Sequence, residues 1–544
     1  MKKADLIIHN GTIYTMDNKK PVAEAMVVKN GMITFIGSNE DVQPLISDKT
    51  PSLDLAGRTM TPGFIDCHTH LVNHGYTKMQ LDLRVVKDYD ELVDRVAQAV
   101  EKVRPGTWIV GRSWHQGKWY SQPAQRVQEL PTHHSLSRVS PDNPVFLYHA
   151  SCHAALANAK AMAIAGITRD SACTEDGEIV KDDMGNPSGI FNEQAMELIK
   201  NCIPAYTEDD NRRALRLALN DCLAHGITTV HEAGVSGQAV NLFKDFLGAG
   251  RLPIRVYLMI DGTDEQLLNE WLSRGPEIGI GDNFLTVRTI KLLMDGALGA
   301  RGAWMIEPYT DCSGQYGLRN LPLDYVYTVS ENALKHGFQM SVHAIGDRAN
   351  HELLNQFEKV LRKNPDRANN SRFRIEHAQH LQPSDIPRFG KLGVIASVQC
   401  IHMASDRVWA IERLGEKRIK EGAYMWQSLL RSGAKLINGT DIPAEPIDPI
   451  ACFYAAITRR TLDGYPAEGF EPEQKMTREQ ALRSYTLDAA YGAFEEKIKG
   501  SIEVGKEADC TVFSQDIMTV DEDRLLQTKI DYTVVNGEVV YKRE

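Results

Sequence analysis

The feature that most constrains this chain is an alternation repeated through its middle. A short apolar run ends in polar residues, and an amphipathic stretch of helical period follows. The runs are FIDCHTHL, GITTVHEAG, IRVYLMID, VRTIKLLMDG, FQMSVHAIGD, RFRIEHAQH, GVIASVQC and AKLINGTD. NRRALRLALNDCLAH, YVYTVSENALKHG and ANHELLNQFEKVLRK are examples of the helical stretches. Strands that alternate with helices form parallel sheets, because a parallel pair needs a long crossover. About eight such units predict an α/β fold of the (β/α)8 barrel type rather than an open doubly wound sheet. The polar residues fall at the C-terminal ends of the runs, where barrel active sites are built.

The two ends of the chain share a different pattern. ADLIIHNGTIYTMD, PVAEAMVVKNGMITFIG and DYTVVNGEVVYKRE each set an Asn-Gly pair between apolar runs, at Asn10-Gly11, Asn30-Gly31 and Asn536-Gly537. That is the strongest short-range hairpin signal. One small β domain is therefore expected from residues 1–60 and 485–544, with the barrel at 61–484. Between Leu71 and about residue 210 the β–α rhythm is lost, and three of the seven tryptophans lie in WIVGRSWHQGKWYSQP. A structureless loop of that length is implausible. An inserted subdomain at about 75–210, after the first barrel strand and over the barrel mouth, is expected. The 544 residues suit a barrel of about 250 residues with such additions.

Composition narrows the function. Lys and Arg number 61 against 72 Asp and Glu, a net charge of −11. That balance disfavours nucleic acid, whose binding needs a basic footprint. The N-terminal apolar run is broken by His9 and Asn10, so it does not read as a signal peptide. No run approaches the ~18–20 apolar residues of a membrane span. A cytoplasmic enzyme with a small-molecule partner and no membrane is expected, with a homodimer as the default assembly. The nine cysteines (67, 152, 173, 202, 222, 312, 400, 452 and 510) include no CxxC pair. They read as small core residues rather than disulfides or zinc knuckles.

The chemistry gathers at the run ends. His68 and His70 are two apart, so on a strand both face one side and can point at one ion, with Asp66 on the same face. Downstream run ends carry Lys291, His343, His377 with His380 nearby, and Asp441. Each alone suits a solvated loop. Together they repeat metal-binding residue types at the strand ends of one barrel. Glu193 and Glu232 are further carboxylates beside apolar runs. Trp114 reads either as insert core or as an aromatic wall for an apolar substituent. Arg301 reads either as a fork for a substrate carbonyl or carboxylate, or as one half of an ion pair.

The chain resembles the amidohydrolase superfamily, in its amidohydrolase-3 branch. The segments that carry the likeness span nearly the whole chain. They are TPGFIDCHTH, SWHQGKW, HASCHAALANAKAM, SGIFNEQAM, GITTVHEAG, KLLMDGALGARGAW, VHAIGDRAN, RIEHAQ, NGTDIPAEP and SIEVGKEADCTVF. The resemblance implies that the terminal hairpins form a small β-sandwich beside the barrel. It implies one or two divalent ions, zinc being favoured by imidazole donors. His68 and His70 would bind the more buried ion, and Lys291, carboxylated by carbon dioxide, would bridge to a second held by His343 and His377. Asp441 would ligate the first ion and accept a proton from the attacking water. His153 would contact substrate, although Ser151 stands where the branch often has Asp. The implied activity is hydrolysis of a carbon–nitrogen bond other than a peptide bond, with an N-substituted formamide, yielding formate and an amine, as the most concrete case. A deaminase or cyclic-amide hydrolase on the same fold, and a ligand-binding barrel without turnover, are the alternatives.

Overall fold

The computed structural model describes residues 5–47, 50–151, 153–172 and 176–544. Besides Glu277–Gly279, added antiparallel to Leu285–Leu293, the eight apolar runs are eight strands of one sheet, paired in parallel and in chain order. They are β1 (Phe64–Thr69), β2 (Ile227–Val235), β3 (Arg255–Asp261), β4 (Leu285–Leu293), β5 (Gln339–Ala344), β6 (Arg374–His377), β7 (Ile395–Val398) and β8 (Leu436–Asn438). The sheet comes back to its first strand. Just past β8, Asp441 N donates to His68 O at 2.8 Å and His70 N donates to Ile442 O at 2.9 Å. Thr69 and Ile442 form a parallel bridge. The result is a nearly closed parallel barrel. Every residue of β1, β6, β7 and β8 is buried, as expected of parallel strands covered on both faces.

Helices follow the strands, and their starts are written in the sequence. Ser236 caps Gly237–Gly248 after β2, and Asp264 caps Glu265–Arg274 after β3, each side chain accepting a backbone N–H of the first turn. In Asp347–Lys363, after β5, the buried Ala349, Leu353, Phe357 and Val360 recur at three- and four-residue spacing, which turns one stripe of the helix inward. The helix Cys400–Gly422 begins two residues after β7 ends, which places its first turn beside the strand ends.

The termini build two further sheets. One has four strands, in the order Met32–Gly37, Ala25–Lys29, Leu6–His9, Ser52–Asp54. The other has six, in the order Glu538–Lys542, Ile530–Val535, Cys510–Phe513, Thr59–Pro62, Thr12–Tyr14, Val22–Ala23. One apolar cluster draws on both, through Ile8, Met26 and Val28 from the first and Ile13, Met60, Val512 and Val534 from the second. The strand Thr59–Pro62 runs through Gly63 straight into β1, and the buried Arg255 of β3 pairs with Asp509 at 2.7 Å. Asn30-Gly31 and Asn536-Gly537 have both residues at positive φ, as a tight hairpin turn requires. The hairpin expected at Asn10-Gly11 does not form. Leu6–His9 joins the four-stranded sheet and Thr12–Tyr14 the six-stranded one. A Cβ on Gly11 would lie 2.5 Å from Arg58 O, so the glycine serves close passage between sheets.

Backbone packing divides the chain into two units, Met1–Leu71 with Leu219–Glu544, and Val72–Ala218. The second has its own mixed six-stranded sheet, ordered Gly177–Lys181, Pro187–Glu193, Ala154–Ala157, Val145–His149, Ile109–Trp114, Leu81–Asp82. Its own core includes Leu92, Val96, Trp114, Leu147 and Ile190. Cys67, Cys222, Cys400, Cys452 and Cys510 are buried and Cys202 is half-buried, whereas Cys312 is exposed and is no core residue. Cys152 and Cys173 lie outside the described residues. No described helix is long and apolar enough to cross a membrane.

Candidate metal centre

Two imidazole pairs converge on one carboxylate. His68 and His70 stand at the end of β1, and their Nε2 atoms lie 3.7 and 3.5 Å from Asp441 Oδ1. On the other side, His402 Nε2 is 3.6 Å from Asp441 Oδ2. His377, at the end of β6, completes this second group. Within each triad, His68–His70–Asp441 and His377–His402–Asp441, the ligating atoms lie within 4.8 Å of one another. His377 and Asp441 both adopt left-handed backbone, at φ 74° and 58°. A residue with a Cβ holds that conformation at a cost of order 1 kcal/mol, and such residues cluster at functional sites.

The surrounding side chains fix each ring. His68 Nδ1 lies 2.6 Å from Glu376 Oε2, and His377 Nδ1 lies 2.7 Å from Gln399 Oε1. Each ring thus spends its Nδ1 proton on an oxygen and keeps the Nε2 lone pair, the arrangement a metal-binding histidine needs. Burial holds His68 down to about 4 and His377 well below its usual range, so both are neutral near pH 7. Burial opposes ionisation of Asp441, but the surrounding imidazoles, His70 first and then His68, His377 and His402, outweigh it and hold the carboxyl well below its usual range. His68 and His377, neutral and held at Nδ1, beside the buried Asp441 carboxylate fit a divalent cation.

The other residues singled out in the sequence are placed as follows. Lys291, on β4, is 3% exposed, and burial lowers its ammonium to about 8. The His343 ring, on β5, packs 4.4 Å from that of His377. Its Nε2 is buried without a hydrogen-bond partner and faces Asp295 Oδ1 at 3.4 Å. Asp66 is not aimed at the cluster: it accepts from Thr440 N at 2.9 Å, from the Thr440 hydroxyl and from His68 N, tying β1 to the turn that carries Asp441. Glu232 accepts from the Thr69 hydroxyl and Leu71 N, both at 2.8 Å, and so brackets His70. His380 is buried with both ring nitrogens unpartnered, outside both triads.

Two of the candidate substrate contacts are otherwise engaged. Trp114 is fully buried in the core of Val72–Ala218, its indole N–H donating to Leu147 O at 2.9 Å. It offers no surface to a substrate. The Arg301 guanidinium is taken by Asp311 through Nε and Nη2, at 3.1 and 2.8 Å, so the ion-pair reading holds there. His153 is exposed, its Nδ1 3.1 Å from Glu193 Oε2 within the same unit. Sequence reasoning missed His402, Glu376, Gln399 and Asp295. The signal for His402 was present in GVIASVQCIH, where an apolar run again precedes a histidine, but the side chain comes from a helix turn rather than a strand end. Asp295 accepts from Trp304 N, Ile345 N and Gly346 N, and burial raises it to about 7.

Comparison with known proteins identifies the family and the fold. The amidohydrolase family model matches residues 52–541. The protein LONG AFTER FAR-RED 3 of Arabidopsis thaliana is 34% identical, the match covering 99% of this chain and 92% of that one. An N-substituted formamide deformylase of Arthrobacter pascens is 28% identical over 99% of this chain and 98% of its own length. Among solved structures, an uncharacterized metal-dependent hydrolase from Pyrococcus furiosus superposes with a TM-score of 0.74 at 30% identity. That match covers 94% of this chain and all of that one.

Proposed function

Because the chain belongs to the amidohydrolase family of metal-dependent hydrolases, we propose that the bond it cleaves is the carbon–nitrogen bond of an amide. An N-substituted formamide, giving formate and an amine, is the substrate class we put first, and the deformylase relative supports it. The observation that carries the reading is one buried carboxylate, Asp441, set between two pairs of imidazoles beside the ends of the barrel strands. We read the two terminal sheets as the small β-sandwich that accompanies such barrels, and Val72–Ala218 as an insert.

His68, His70 and Asp441 would hold a divalent cation, with zinc the ion this nitrogen and oxygen set favours. Bound there, the ion supplies Lewis acidity, lowering the pKa of water and polarising a carbonyl. The remaining work falls to the chain's own residues. Asp441, ionised and buried, accepts the proton of the attacking water and returns it to the leaving nitrogen, one group serving as base and then acid. Glu376 and Gln399 keep His68 and His377 in the tautomer that presents Nε2 inward. Lys291 has a lowered pKa, so part of it is a neutral amine near pH 7. That amine can form an N–C bond to carbon dioxide and lose a proton, which replaces a cation with an anion beside the imidazoles.

An amine-release screen over formamides, acetamides and cyclic amides tests the reading. Release of a primary amine with stoichiometric formate from formamides supports it. Ammonia as the product moves the assignment to a deaminase, and cleavage confined to cyclic amides removes the formamide.

A further inference from the structure

We infer that a cleft in the unit formed by Met1–Leu71 and Leu219–Glu544, outside both triads, binds a small zwitterion. Such a molecule carries one ammonium and one carboxylate, and a free α-amino acid is the simplest.

The cleft holds about 120 Å³, against the ~30 Å³ share of one liquid water. His380 lines it and is 2% exposed, with neither ring nitrogen hydrogen-bonded. Its backbone is already satisfied. His380 N donates to Ile345 O at 3.0 Å, and its carbonyl accepts from Asn350 Nδ2 at 3.2 Å. Only the imidazole lacks a partner, and buried polar side chains rarely stay that way. Burial, and after it the Arg418 charge, hold the ring neutral near pH 7. A neutral imidazole offers one N–H and one lone pair, so its ligand needs both an acceptor and a donor.

The charges in the lining say which. The Arg418 nitrogens reach Leu414 O, Glu307 O and the Thr310 hydroxyl, at 2.6, 3.1 and 2.9 Å. Those contacts fix the guanidinium and leave its charge without a carboxylate. Lys417 adds a second cation, and Glu307 and Glu421 add two carboxylates. None of these three has an ion pair among the described residues. A simple anion in the cleft meets Glu307 and Glu421, and a simple cation meets Arg418 and Lys417. A molecule with both charges suits both sets, since charge-assisted hydrogen bonds are the strong ones. The buried Leu381 and Leu414 add an apolar wall for a short side chain.

The place of the cleft gives it a use. His380 lies three residues past His377. Lys417, Arg418 and Glu421 lie toward the end of Cys400–Gly422, whose first turn carries His402. A bound zwitterion ties together two segments that reach the metal centre, without touching either triad.

Calorimetric titration of the full chain tests this, with glycine, L-alanine and L-valine as probes. Ethylamine lacks the carboxylate and propionate the ammonium. At least one amino acid is expected to bind, one per chain, and to raise the thermal midpoint as a ligand of the native state does. Both controls should bind at least about 10-fold more weakly. His380→Leu and Lys417→Gln should each weaken binding, the second at an exposed position where the fold is not at stake. Removing metal with a chelator should leave binding unchanged. No binding by any probe overturns the inference, as does a control that binds equally well. Binding that vanishes with the metal but survives both substitutions also overturns it, placing the probe at the metal centre. None of these outcomes touches amide hydrolysis, so the proposed function is tested separately.

Discussion

Glu376 Oε2 and His68 Nδ1 are 2.6 Å apart inside the barrel, and both side chains are buried. Burial opposes the charge on Glu376, but Arg374, 2.8 Å away, and the His68 contact outweigh it and hold the carboxyl well below its usual range. An ionised carboxylate only accepts, so the proton sits on Nδ1 and the Nε2 lone pair points toward Asp441.

Glu376→Gln should therefore weaken metal binding. Loss of a carboxylate partner to a ligating histidine typically costs about 10–100-fold in affinity. Competition against a chromophoric chelator measures it. An unchanged dissociation constant would show that Glu376 serves only to neutralise Arg374.

Asp441→Asn keeps nearly the same shape and removes the base. At saturating metal we expect kcat to fall about 100- to 10,000-fold, with the far-UV circular dichroism unchanged. Near wild-type turnover in that variant would remove Asp441 from proton transfer.

Lys291→Ala should lower bound metal, rate or both, with partial recovery when short-chain carboxylic acids are added in place of the missing anion. Full metal and full rate in the variant would exclude a bridging lysine.

His380 gives a pH signature independent of the metal groups. Burial holds it at about 3, and neither ring nitrogen has a partner. Below its ordinary value of 6.5 the unfolded chain takes up a proton that the folded chain refuses. Stability from this group is thus intact above pH 6.5 and is lost as the pH falls toward 3. By pH 5 the loss is about 2 kcal/mol. Urea unfolding of apo wild type and His380→Leu at pH 7 and pH 5 isolates it, because the other buried histidines act alike in both. An equal loss in the two proteins would contradict the assignment.

The barrel is legible in the sequence because its strands are buried on both faces and end abruptly in polar residues, so each reads as a short apolar run with a marker at its C-terminal end. His68, His70, His377 and Asp441 are such markers, and the structure brings them together. His402 escaped because a residue on the first turn of a helix follows no strand period, and its approach to Asp441 depends on how Cys400–Gly422 meets β7. Trp114 and Arg301 carry two readings each in the sequence for a related reason. A tryptophan looks the same in sequence whether it lines a mouth or fills a core, and the partner that claims Arg301 lies ten residues on, at Asp311. Asn10-Gly11 reads as a hairpin, but local turn chemistry cannot show that its two flanking strands belong to different sheets.

The central claim is that the imidazoles and carboxylate around Asp441 hold the ion on which amide hydrolysis depends. The most direct measurement removes bound metal with a chelator, then follows amine release from a formamide before and after zinc is returned. The account predicts loss of release with the metal and recovery with zinc, in proportion to metal bound. Release that survives complete removal of metal would contradict it.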